Sequence, residues 1–186
     1  MAFVLYISYL IAFPVSPKEA VNYSSDNSDF EVIYSRPYKN GRLIFGSKEE
    51  GALVPFRNYW RTGANANTKI SFSDPVTISG VTVPEGTYAL YTRPGEEMWE
   101  VFIYKKSDNW ALPKVWDANQ VAVVSESKAN ETENLVESFT IQIENISTAI
   151  ITLRSIKQLE IKDEFIKSGI TKIHSIARLQ EITRGK

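Results

Sequence analysis

Residues 69–105 read KISFSDPVTISGVTVPEGTYALYTRPGEEMWEVFIYK, and no other stretch limits the fold as severely. Ile70 and Phe72 alternate with polar residues, as do Val76 and Ile78, then Val81 and Val83. Tyr88 and Leu90 share one face with Ala89 and Tyr91 on the other; Trp99, Val101 and Ile103 stand opposite Phe102 and Tyr104. A period of two is the mark of a β-strand. Each run ends on turn chemistry: Asp74-Pro75, Gly80, the VPEGT turn in which Pro84 presets φ and Gly86 lets the chain leave, and Arg93-Pro94-Gly95. Such links are too short for parallel crossovers, so the strands pair antiparallel.

The rest of the chain extends this grammar. FEVIYS at 30–35, VAVV at 121–124, ESFTIQIENI at 137–146 and TAIITLRSIKQLEIK at 148–162 all read as strands, with Phe139, Ile141 and Ile143 in strict alternation. Between them, SRPYKNGRLIFG is a loop with a brief extended middle, and SKEEGALVPF is a charged bend anchored by Leu53 and Val54. SESKANETEN at 125–134 is a polar, charge-mixed loop. The end of the chain changes period. Ile166, Ile170, Ile173 and Ala177 are spaced four, three and four, with Asp163 as N-cap and Gly185 beyond, which predicts an amphipathic helix. The expected architecture is an all-β antiparallel sandwich, jelly-roll-like, over 16–161, with a helical extension over 162–186.

Residues 1–15 form a third segment. Ala2 to Val15 is almost purely apolar, and Pro14 ends any helix there. The length suits the core of an export signal and falls short of a membrane span, although no Lys or Arg precedes Lys18. The expectation is an atypical export signal on a periplasmic or secreted protein, with a buried first strand as the alternative.

Composition removes whole classes of chemistry. With no cysteine, there is no disulfide, thiolate metal site or cysteine nucleophile. The single His174 cannot make a histidine-rich metal centre, and no Gly-x-Ser-x-Gly elbow, P-loop or Rossmann fingerprint is present. No metal and no cofactor are therefore expected. Lys plus Arg is 21 against Asp plus Glu 22, a net charge of −1, which gives nucleic acid no basic surface to bind.

Two sets of side chains remain. Trp60, Trp99, Trp110 and Trp116 suit stacking on a sugar ring; Trp99, Tyr88 and Tyr91 fall on strand alternation and read as core, whereas Trp110 and Trp116 lie in irregular chain and read as exposed. Arg36, Arg42 and Arg61 each sit in a loop beside Gly, Pro or an aromatic residue. A guanidinium on a rigid loop clamps a carboxylate or phosphate with its planar fork, or else stitches loop carbonyls and pairs with an internal carboxylate such as Asp74.

YSRP at 34–37, GRLIFG at 41–46, LVPF and WRTGAN within 53–65, and VPEGTYALYTRPG at 83–95 occur together and in this order. This set resembles the bacterial domain-of-unknown-function family 2911. The likeness runs from residue 16 to about 110 and continues more thinly to about 161. It implies an exported β-sandwich protein and carries no known activity or catalytic residues. The leading expectation is a non-enzymatic binding domain whose small polar or glycan-like ligand contacts Arg36, Trp60, Arg61 and Asn65. A hydrolase using carboxylates on a sandwich and a purely structural or interaction module are the alternatives.

Overall fold

Nine strands join edge to edge in one antiparallel sheet that runs back to meet its own beginning. The computed structural model describes residues 15–25, 28–108, 110–131, 135–146, 148–155 and 159–168. The strands are β1 (Lys18–Ser25), β2 (Ser28–Ser35), β3 (Phe45–Gly46), β4 (Val54–Pro55), β5 (Thr68–Phe72), β6 (Val76–Ile78), β7 (Val81–Val83), β8 (Gly86–Arg93), β9 (Met98–Tyr104), β10 (Val121–Glu131), β11 (Thr140–Ile146), β12 (Thr148–Ser155) and β13 (Leu159–Ser168). Their order is β1-β2-β5-β8-β9-β10-β13-β12-β11, with β6 pairing to β13 and carrying β7. The two-residue β3 and β4 pair in parallel, Phe45 with Val54.

Strand twist accumulates across so many strands, and a long sheet curls rather than staying open. Here the curl is completed by the chain just past β2. Tyr38 bridges to Ser138, Lys39 N–H donates to the Glu137 carbonyl at 2.8 Å, and Phe139 N–H donates to the Pro37 carbonyl at 3.0 Å. The end of β2 thus meets the start of β11. The all-β antiparallel expectation holds, and its inward faces enclose one core.

Alternation decides which residues enter that core. Tyr88, Leu90, Trp99, Val101 and Ile103 face it, together with Val32, Ile70, Phe72, Phe139 and Ile141. The opposite faces of β8 and β9 supply Ala89, Tyr91, Phe102 and Tyr104, which build a second, smaller aromatic cluster. Both faces of these two strands are therefore buried, as their doubly apolar sequence requires. Trp99, Tyr88 and Tyr91 are core residues, as their positions on the strands predict.

Three expectations need correcting. The segment after Val124 is not a loop: β10 continues to Glu131, pairing with β9 as far as Lys128 and with β13 beyond it. Its small hydroxyl residues Ser125 and Ser127 turn inward while Glu126 and Lys128 stay exposed, an alternation hidden by the polarity of both sets. Nor does a helix begin at Asp163. That residue lies in β13 opposite Ile151, and Ile166 lies opposite Ala149. Pairing with β12 from Asp163 to Ile166, and with β6 at Lys167 and Ser168, overrides a local helical spacing built from β-branched residues. The rest of that segment, His174 included, is outside the described residues, as are residues 1–14. Lastly, Val54 is buried but Leu53 is exposed, so only one of the two proposed anchors serves as one.

Candidate functional site

The segment between β4 and β5 makes a sharp corner held together by hydrogen bonds of Trp60 and Thr62. Trp60 pairs with Thr92 through two backbone hydrogen bonds, 2.7 and 3.0 Å, and its indole is only 7% exposed. The indole N–H donates to the Gly63 carbonyl at 3.0 Å. The ring packs edge-on against Phe45, Trp99 and Phe139. Thr62, fully buried with φ +54°, donates its hydroxyl to Thr92 Oγ1 at 3.2 Å, and its carbonyl accepts from Thr68 Oγ1 at 2.6 Å. Gly63 has φ +149°, and a Cβ there would stand 2.9 Å from the Ser35 carbonyl oxygen. Only glycine fits that backbone and that approach.

Arg61 and Asn65 project from this corner. One Arg61 Nη1 N–H donates to the Asn65 carbonyl at 2.6 Å, which fixes the guanidinium from behind. Asn65 takes φ +57°, a conformation that asparagine tolerates well, and its side-chain amide reaches the Ser16 carbonyl at 3.4 Å. These residues line a cavity of about 650 Å³ shared with Asn58, Tyr59, Arg42, Leu53, Trp110 and Leu112. Arg42 is tethered in the same manner, Nε to the Lys39 carbonyl at 3.0 Å and Nη2 to the Tyr38 carbonyl at 2.5 Å.

The aromatic wall is braced from outside. Tyr59 stacks on Trp116 at 4.0 Å, and Arg93 lies over the Tyr59 ring at 5.3 Å. Arg93 is itself paired with Glu100, a hydrogen-bonded partner that raises the guanidinium's pKa above its ordinary value. Trp110 differs from every other tryptophan. Its carbonyl is pinned by the Asn67 N–H at 3.0 Å, yet its side chain is 73% exposed.

Arg36 stands apart from this cavity. Nη1 pairs with Glu19 at 2.8 Å, Nε donates to the Phe139 carbonyl at 3.1 Å, and Nη2 donates to Thr140 Oγ1 at 2.9 Å. All three nitrogens are thus spent on joining β1, β2 and β11. Beside it, Tyr34 Oη accepts the Ile141 N–H at 3.0 Å. Burial pushes the Tyr34 phenol above its usual 10.0, with this backbone hydrogen bond pulling the other way. Asp74, considered as a partner for a loop arginine, instead accepts from the Ser73 hydroxyl at 2.5 Å.

A family model described as "Protein of unknown function (DUF2911)" matches residues 16–178. The chain belongs to this family. No curated protein matches it, and no solved structure does. The span matched by DUF2911 includes every strand and every residue of the cavity except Val15.

In this DUF2911 chain the structure brings Trp60, Arg61 and Asn65 to one cavity and leaves Arg36 out of its lining. Sequence reasoning singled out Arg42 among the loop arginines without placing it in the site, and it missed Asn58, Tyr59 and Leu112 altogether. Trp110 was expected to be exposed and is; Trp116 was too, but it is half-buried in the outer aromatic cluster. Asn67 is buried, and neither of its side-chain polar atoms has a partner among the described residues. Among the same residues no cluster of three metal-ligating side chains occurs, and no helix is long and apolar enough to cross a membrane.

Proposed function

We propose that this protein is an exported, non-enzymatic binding domain that holds a small polar or glycan-like ligand in the cavity between Trp110, Arg42 and Arg61. One observation carries the reading: the exposed indole of Trp110, on a backbone fixed to Asn67, shares a concave surface with tethered polar side chains. Sugar recognition needs that pairing, since a ring's apolar face stacks on an aromatic plane while its hydroxyls take fixed hydrogen-bond donors and acceptors. Asn58, Asn65 and the two guanidiniums supply the second part. A cavity of about 650 Å³ is within the range that encloses small ligands. The residues lining it include no Asp or Glu, so the paired carboxylates of a glycoside hydrolase are not at this site among the described residues.

The reading is tested by thermal shift and tryptophan fluorescence against a panel of mono- and disaccharides and small organic acids. At least one class is expected to raise the melting temperature, and Trp110→Ala is expected to abolish that shift while leaving the unliganded protein's melting temperature within about 2 °C of its original value. A panel with no hit at tens of millimolar, or a hit indifferent to Trp110→Ala, would remove the proposal.

A further inference from the structure

Resting on the binding reading above, we infer that the ligand is an acid: a saccharide-sized molecule held by a carboxylate between Arg42 and Arg61. The argument begins with charge. The cavity lining contains two arginines and no acidic residue. Neither guanidinium forms an ion pair among the described residues, whereas Arg36 and Arg93 pair with Glu19 and Glu100. Two cations that share a concavity with apolar walls such as Ile44, Val54 and Leu112 focus a positive potential there.

Geometry then narrows the anion. Each guanidinium is held by backbone carbonyls, Arg42 through Nε and Nη2 and Arg61 through Nη1. A guanidinium has five N–H donors, so each fork keeps others for a ligand, and less side-chain entropy is lost on binding because the tether already orients it. A fixed planar fork matches a planar carboxylate. Phosphate sites usually add a helix N-terminus, a nest of backbone N–H groups or a lysine. The lining has no lysine, and the one-turn helix at Ala118–Gln120 lies outside it. Trp110 provides the apolar plane for the ring that bears the acid.

The full-length chain discriminates this when titrated with three probes of one ring size: glucuronate, glucose and glucose 6-phosphate, followed by tryptophan fluorescence. Glucuronate is expected to bind at least about tenfold more tightly than glucose, and to weaken as sodium chloride rises. Arg42→Gln and Arg61→Gln are each expected to cost about tenfold for glucuronate and clearly less than that for glucose, which loses hydrogen bonds but no charge pairing. Circular dichroism melts check whether each variant folds; Arg42 is exposed, so its variant carries the test if the other does not fold. Equal binding of glucuronate and glucose overturns the acid assignment and leaves the binding domain standing. Tighter, arginine-dependent binding of glucose 6-phosphate overturns the carboxylate in favour of a phosphate ligand. No fluorescence change with any of the three overturns the acidic sugar, and the broader panel then decides the binding domain separately.

Discussion

Arg36 and Arg61 are alike in sequence, loop arginines beside Pro37 and Trp60 respectively, and the fold gives them opposite work. Arg36 is saturated: a carboxylate, a carbonyl and a hydroxyl take its three nitrogens, and the three partners come from β1, β11 and the residue just before β11. Arg61 has one carbonyl behind it and a cavity in front. The difference lies in the partners that tertiary structure brings, not in the residue. An arginine whose every nitrogen already holds a partner inside the protein, its charge matched by a carboxylate, contributes stability and has little left to offer a ligand. One that is held but unsatisfied contributes little stability and keeps its charge available.

Mutations can break this comparison or sharpen it. Trp60→Ala should have the largest effect, because the indole supports the corner from which Arg61 projects and also packs on Phe139 beside the Arg36 seam. A loss of about 3–5 kcal/mol in urea unfolding is expected; a loss under 1 kcal/mol would mean that the two regions do not share this support. Arg36→Ala comes next. Both members of the Arg36–Glu19 pair are about a third exposed, so the ion pair itself adds little, and the two hydrogen bonds to the β11 side dominate. About 1–3 kcal/mol should be lost. Arg61→Ala, measured alongside, should lie within about 0.5 kcal/mol of the parent. Equal losses for the two arginines would erase the distinction drawn here.

A further effect, smaller than that of Arg36→Ala, is a pH dependence confined to the seam. Tyr34 is neutral when folded, and burial holds its pKa above the unfolded value of 10.0. Its contribution is therefore fully present below pH 10.0 and is lost as pH rises through the folded value. Melting temperature should decline above that point, and Tyr34→Phe should decline less steeply while starting lower by about 1 kcal/mol, having left the Ile141 N–H without its acceptor. Identical alkaline slopes would exclude Tyr34 as a source. Tyr88, also raised by burial with Glu85 adding to it, would then be the tyrosine to test.

What could be read from the sequence follows the range of the forces involved. Strand alternation is local, so β5 to β9, their turns and even the two-faced burial of β8 and β9 were legible. The corner at Trp60 was legible as a motif, WRTGAN, and as the place of a loop arginine. Its partners were not: whether Arg36 or Arg61 is saturated depends on Glu19, Phe139 and Thr140, which no local pattern connects. The failure at Asp163 has the same root, because helical spacing is a property of the segment while pairing with β12 and β6 is a property of the whole sheet. Ser125 and Ser127 show the converse, a strand whose inward face is polar and so gives no alternation in hydrophobicity.

The seam also bears on how the chain reaches its fold. Arg36 meets Phe139 and Thr140 across 103 and 104 residues of sequence, and Tyr34 meets Ile141 across 107. Contacts of that span are among the slowest to form, since a long loop must close before any interaction rewards it. On a ribosome β2 emerges well before its partner beyond residue 137 has been made. Until then the inward faces of β2, β5, β8 and β9 lack their cover from Phe139 and Ile141, so for this protein the interval between synthesis and closure is when aggregation threatens most.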